Sequence, residues 1–200
     1  MRWQRLGKAG NWRTAFECRT LLLRISTVDN LAISVRRATP DDAAALATLV
    51  NRAYDVERSF VDGDRTTETE VAELTRSGAF LVLEHGQGLA AAIYLERRGD
   101  GAYFGMLSVD PALQGMGLGT RLVRIAEAMA EAMGATHMTL RIVNVREELE
   151  RWYKSLGYRP IGTSPYARPV KKPCHFVEMH KYLGDGRAVP QRAGLSVGAA

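Results

Sequence analysis

The chain has 200 residues, 46% of them apolar, which suits one domain with tails and a core large enough to fold. Its formal charge of +5 sits at the ends: six Lys/Arg face only Glu17 and Asp29 in residues 1–32, two Arg face Asp185 in residues 184–200, and nineteen charges of each sign cancel between them, so nucleic acid is not an expected partner. No apolar run approaches the roughly eighteen residues of a membrane span, and Cys18 and Cys174 make neither a disulfide framework nor a zinc spacing, so a soluble cytoplasmic protein without a metal is expected.

Residues 1–32 mix basic and aromatic side chains (Arg2, Trp3, Arg5, Trp12, Arg13, Phe16) without a period of 2 or 3.6. A disordered extension, or an upstream extension of the reading frame, is favoured over an Arg-rich targeting or nucleic-acid arm. A domain is expected over residues 33–183. Ile33 to Arg37 reads as a first strand. Thr39, Pro40, Asp41 and Asp42 mark a helix start, and Leu46, Leu49, Val50, Ala53 and Tyr54 recur at amphipathic spacing behind it. Asp55 to Arg65 is polar and irregular, and reads as a solvated connection or as one wall of a pocket. Thr67 with Glu70 forms a capping box for a second helix that Gly78 ends. Strands follow at Phe80 to Glu84, Leu89 to Glu96 and Tyr103 to Val109, joined by short Gly-containing turns that fit antiparallel hairpins.

The next stretch organises the rest. Gln114-Gly115-Met116-Gly117-Leu118-Gly119-Thr120 lies between the third of those strands and a helical pattern running from Leu118 to Met133. Glycines at alternate positions let a ligand approach the backbone, and the opening helix presents unpaired N–H groups, so a phosphate or pyrophosphate is the simplest occupant. The spacing is neither a P-loop, which needs GxxxxGK, nor a dinucleotide fingerprint, because Thr120 stands where GxGxxG requires glycine. What it matches is QxxGxG. A strand from Thr136 to Val143 then runs parallel to the strand before the loop, since a helix separates them. Asn144 to Glu147 reads as a helix cap, with Leu149, Trp152, Tyr153 and Leu156 on one stripe. Tyr158 to Pro160 is a brief strand, Gly162 to Pro173 a basic loop, Cys174 to Leu183 a last strand, and residues 184–200 a disordered tail.

The element order, the QxxGxG turn and the segment Tyr153-Lys154-Ser155-Leu156-Gly157-Tyr158 resemble the GNAT superfamily of acyl-CoA-dependent N-acyltransferases over about Ile33 to Leu183. The resemblance implies an α/β (α+β) fold, with a mixed, mostly antiparallel sheet of six to seven strands, helices on both faces and a splayed central parallel pair. It implies acetyl-CoA as co-substrate, its pyrophosphate on the backbone of Gln114, Gly115, Met116, Gly117, Leu118, Gly119 and Thr120, its pantetheine along Leu107 and Val109, and Asn144 as a further cofactor contact. Tyr153 is implied as the general acid, although its place on the apolar stripe also fits a core tyrosine.

No carboxylate stands on the strand from Tyr103 to Val109 where many relatives carry a base. Glu96, His175 and Glu178, with His137 behind them, are the candidates, and His175 is preferred because imidazole titrates near working pH. The expected activity is acetyl transfer to a primary amine in a ternary complex. The alternative is a degenerate member that binds acyl-CoA as a sensor or regulator without turnover. The acceptor is not readable, because Asp55, Glu57, Asp62 and Asp64 suggest a cationic amine whereas Arg168, Lys171 and Lys172 suggest an acidic one. Oligomeric state is unread, with a homodimer left open.

Overall fold

A computed structural model describes residues 33–184 apart from Gln87 and Ala167. The expectations for residues 1–32, including Cys18, and for the tail beyond Gly184 lie outside the described residues. The elements are β1 (Ile33–Arg37), α1 (Ala43–Ala53), α2 (Glu68–Ser77), β2 (Ala79–His85), β3 (Gly88–Arg98), β4 (Gly101–Val109), α3 (Leu118–Ala132), β5 (His137–Val143), α4 (Glu147–Ser155), β6 (Arg159–Pro165) and β7 (His175–Tyr182). This is the expected order.

The strands form one sheet, β1-β2-β3-β4-β5-β7-β6, in which only β4 and β5 are parallel neighbours. Alternation along the strands sends side chains to two cores. Leu81, Leu83, Ile93, Leu95 and Phe104 meet Leu118, Leu122 and Ala126 of α3 on one face. Phe80, Val82, Ala92, Tyr94 and Met106 meet Leu46 and Leu49 of α1 and Val71 of α2 on the other. Covered on both faces, β2 and β3 have no polar side to alternate with, which is why they read as unbroken apolar runs.

Local chemistry fixes the entry to α1. Asp42 accepts two bonds of 2.7 Å from Arg36 and one of 2.7 Å from the Thr39 N–H, while Arg36 also reaches Glu84 at 2.8 Å. The Arg36 guanidinium holds the Asp42 carboxyl down at about 2. At α2, the Thr67 side chain accepts from the Glu70 N–H at 3.2 Å.

Two local readings differ from the structure. The brief strand expected at Tyr158 to Pro160 is a seven-residue edge strand, Arg159–Pro165, paired to β7 through a register shift between Pro160 and Gly162. Its prolines and exposed residues hid it, and edge strands tolerate both. The cap expected at Asn144 is not formed, since α4 starts after Arg146. Instead Asn144 and His175 bond reciprocally: the Asn144 N–H donates to the His175 carbonyl at 3.0 Å, and the Asn144 Oδ1 accepts from the His175 N–H at 2.8 Å. That pair ties the end of β5 to the start of β7.

Candidate active site

β4 and β5 pair only at Ala102 with Met138 and Tyr103 with Thr139, and then separate. The gap is a cavity of about 510 Å³, walled by Phe104, Gly105, Met106, Leu107 and Val109 on one strand and Leu140 to Val143 on the other. That size is within the range of small-molecule sites. Past the fork, the β5-facing edge of β4 has no strand to satisfy its backbone groups, and buried backbone of that kind requires a partner.

A bulge aims this edge. Between the pairs Ala92–Ser108 and Tyr94–Gly105, β4 advances three residues against two on β3. Met106 absorbs the extra residue at φ 48°, a left-handed conformation uncommon outside glycine. The buried Ser108 hydroxyl donates to the Met106 carbonyl at 3.1 Å and braces it. Strain held in place by its surroundings is a mark of functional backbone.

The glycine turn closes the cavity beyond Val109. Asp110 caps a turn at Pro111–Leu113, accepting from the Ala112 N–H at 3.0 Å, and pairs with Arg52 of α1 at 3.2 Å. Gly115 and Gly117 take φ of 81° and 75°, with Gly117 at the N-cap of α3. Gln114, Gly115, Gly117, Leu118, Gly119 and Thr120 line the cavity together with Leu107, Val109 and Tyr153. Met116 does not; it packs against the core. One residue further on, Nη2 of Arg121 is buried without a hydrogen-bond partner among the described residues, and desolvation lowers its pKa.

Tyr153 is 5% exposed, with its ring against Trp152, Phe104 and Tyr158 at centroid distances of 4.6, 5.9 and 5.8 Å. Its hydroxyl makes no hydrogen bond among the described residues. Burial, then Tyr54 and Tyr103, raise its pKa well above the ordinary phenol value, so it keeps its proton at neutral pH. Neither Asn144 nor His175 is among the cavity-lining residues, and the His175 side chain is exposed.

The wall also holds residues to which sequence reasoning gave no catalytic role, in the stretch it read as a solvated connection or as one wall of a pocket. After α1 the chain makes a 3-10 turn, Asp55–Ser59, that turns Glu57 inward to 6% exposure. Desolvation raises the Glu57 carboxyl, and Arg146, with Oε1 3.7 Å from its Nη1, opposes that shift most. Tyr54, Arg65, Arg141, Arg146, Tyr166 and Phe176 complete this side, and burial pushes the Tyr54 hydroxyl to about 12. Position 57 extends the stripe of Leu46, Val50, Ala53 and Tyr54 by one helical turn, and that was the available signal.

The opposed charge cues have a simple resolution. Asp55 and Asp64 pair with Arg58 at 2.5 and 2.6 Å, and Asp62 pairs with Lys171 at 3.2 Å. Arg168 donates to the carbonyls of Arg65, at 3.0 Å, and Asp64, while Lys171 donates to that of Arg58 at 2.9 Å. The acidic and basic loops answer each other outside the cavity.

The Acetyltransferase (GNAT) domain family matches this sequence over residues 76–160, from the end of α2 through β6's first residues, which includes the whole fork and the glycine turn. Residues 76–160 are thus similar to a GNAT acetyltransferase domain. The chain's fold is that of solved GNAT proteins. The ribosomal-protein-S18-alanine N-acetyltransferase from Escherichia coli is 18% identical, with TM-score 0.65 over 77% of this chain and 97% of that one. yncA from Salmonella typhimurium, solved with its cofactor acetyl-CoA, is 22% identical, with TM-score 0.63 over 78% and 97%. A GNAT-family acetyltransferase from Streptococcus pneumoniae is 18% identical, with TM-score 0.61 over 76% and 99%. No curated protein matches the sequence. The expected mixed sheet, two-sided helices and splayed parallel pair are all present.

Proposed function

We propose that the protein moves the acetyl group of acetyl-CoA to a primary amine by direct attack in a ternary complex. The observation that carries this reading is the convergence on one forked cavity of an unpaired β4 edge, a glycine turn at a helix N-terminus, a protonated tyrosine and a buried carboxylate. Acetyl-CoA fits the donors present. Backbone N–H groups from Gln114 to Thr120 would hold the pyrophosphate, and the edge at Leu107 and Val109 would take the pantetheine amides. Bound there, acetyl-CoA supplies an acyl group activated as a thioester.

The residues supply the proton chemistry. An alkylammonium with pKa near 10 must lose a proton before its nitrogen can attack. Glu57 is the only carboxylate on the cavity wall among the described residues, and a carboxyl raised by desolvation is a better base than an exposed one. The role assigned from sequence to His175 passes to it, because His175 lies off the wall. Backbone N–H groups of the bulged segment answer the charge that develops on the carbonyl oxygen. Tyr153 then protonates the departing thiolate.

The test is release of CoA thiol by the full chain given acetyl-CoA and a broad amine panel. Thiol release that depends on the amine supports the reading. Acetyl-CoA binding without amine-dependent release would leave a sensor without turnover in its place.

A further inference from the structure

Building on acetyl transfer at this site, we infer that the acceptor is a small amino acid, whose own carboxylate is held by Arg65 and Arg141 while its amine faces Glu57. The cavity wall carries three arginines, Arg65, Arg141 and Arg146, against the single carboxylate of Glu57. Arg146 is occupied, lying 3.7 Å from Glu57 and bonding Glu148 through Nε. Arg65 and Arg141 have no ion-pair partner among the described residues. Glu178 stands opposite Arg141 across the β5–β7 ladder, but its Oε1 takes the Ser164 hydroxyl at 2.8 Å and makes no ion pair with Arg141.

Aromatic faces hold both guanidinium groups in the wall, and Arg65 also lies near enough to Glu57 to oppose, after Arg146, the rise of its carboxyl pKa. Arg65 lies over the Tyr54 ring at 5.3 Å, and Arg141 lies over Phe176 at 5.0 Å and Tyr103 at 5.8 Å. A guanidinium stacked on a ring keeps its N–H edge for a planar anion, and a carboxylate matches that edge with two parallel bonds. The acids that would attract a polycation are spent elsewhere, on Arg58 and Lys171.

Size narrows the class further. The same cavity of about 510 Å³ must also take the acyl-pantetheine end, so a free amino acid is accommodated more readily than a peptide. In the step itself, the α-ammonium gives a proton to Glu57, and the nitrogen forms a bond to the acetyl carbonyl carbon as the carbon–sulfur bond breaks. The thiolate takes the Tyr153 proton. The acylated nitrogen loses its second proton, which restores the Tyr153 hydroxyl, and Glu57 releases the first to solvent, leaving N-acetyl amino acid, CoA thiol and one net proton.

The experiment compares CoA thiol release for matched sets: α-amino acids, their carboxamides, the corresponding amines without a carboxylate, dipeptides and the polyamine spermidine. Amino acids should show kcat/KM about tenfold or more above their carboxamides and amines. Arg65→Gln and Arg141→Gln should each raise KM for the amino acid about tenfold, with KM for acetyl-CoA unmoved, which also reports that the variants fold. Equal or faster turnover of carboxamides, dipeptides or spermidine, or no change in amino-acid KM in either variant, overturns the acidic acceptor and leaves acetyl transfer standing. Absence of turnover with every amine overturns both.

Discussion

β4 has two edges, and they are treated in opposite ways. Toward β3 it is paired along its length, interrupted by one bulge, whereas toward β5 it is paired at two positions and then left open. The closed seam lies between strands buried on both faces and stabilises the domain. The open seam gives up strand pairing in a place where backbone polar groups have no solvent substitute once a ligand is bound. The comparison teaches that a missing ladder inside an otherwise complete sheet is itself the signature of a site, before any side chain is considered.

The sharpest way to break that contrast is at the open seam. Glu57→Gln should lower kcat by about 10²- to 10⁴-fold, the span of general-base catalysis, whereas His175→Ala should leave turnover intact; a CoA-release assay with the active acceptor separates the two. Tyr153→Phe keeps the ring packing against Phe104, Trp152 and Tyr158. It should reduce kcat by a similar factor, with acetyl-CoA affinity nearly unchanged by calorimetry.

The pH profile carries the same information. The folded Glu57 pKa is raised by burial, so the acid limb of kcat/KM should fall at a pH above the ordinary carboxylate range, and Glu57→Gln should remove it. The sign for stability is opposite to that for function. A raised carboxyl favours the neutral form, so its contribution is most favourable below the unfolded pKa of about 4.3 and is lost as pH rises through the folded value. Glu57→Gln should therefore raise Tm at neutral pH while it removes activity.

Smaller effects are expected on the backbone and at the closed part of the fold. Gly117→Ala meets no steric neighbour within 4 Å but forces a left-handed φ on alanine, which should destabilise by about 1–2 kcal/mol in urea titration and weaken acetyl-CoA binding. Asn144→Ala removes the bond to the His175 N–H and should cost about 1 kcal/mol with KM for acetyl-CoA unchanged; a rise in that KM would restore Asn144 as a cofactor contact. Arg36→Ala, far from the cavity and partly exposed, should cost about 1 kcal/mol or less and leave kcat alone.

Much of this architecture was legible because it is periodic. The apolar runs of β2 and β3, the stripe of α1, the capping box at Thr67 and the glycine turn each follow a local rule, and each appears where the rule puts it. The misreadings arise where tertiary pairing decides. β6 owes its length to β7 rather than to its own prolines, and Asn144 read as a helix cap, with a cofactor contact implied by the resemblance, whereas the structure pairs it with the His175 backbone. Glu57 was not distinguished from the acids around it: Asp55, Glu57, Asp62 and Asp64 read together as a cue for a cationic amine, on a solvated connection or a pocket wall, and only the turn at Asp55–Ser59 shows that one member points inward. Arg65 and Arg141 are single residues whose meaning comes from the rings beneath them, and no spacing announces that.

The position of β7 bears on how the protein comes into being. During synthesis from the N-terminus, β5 is complete long before residues 175–182 leave the ribosome, yet β7 is the strand that fills the sheet position between β5 and β6. Until then β5 presents an unpaired edge, and β6 has no strand to join. The far wall of the cavity, through Phe176, is also supplied by that strand. A chain lacking β7 would leave the β5 edge open and the Phe176 side of the cavity unbuilt, so one strand completes both the sheet and the cavity wall.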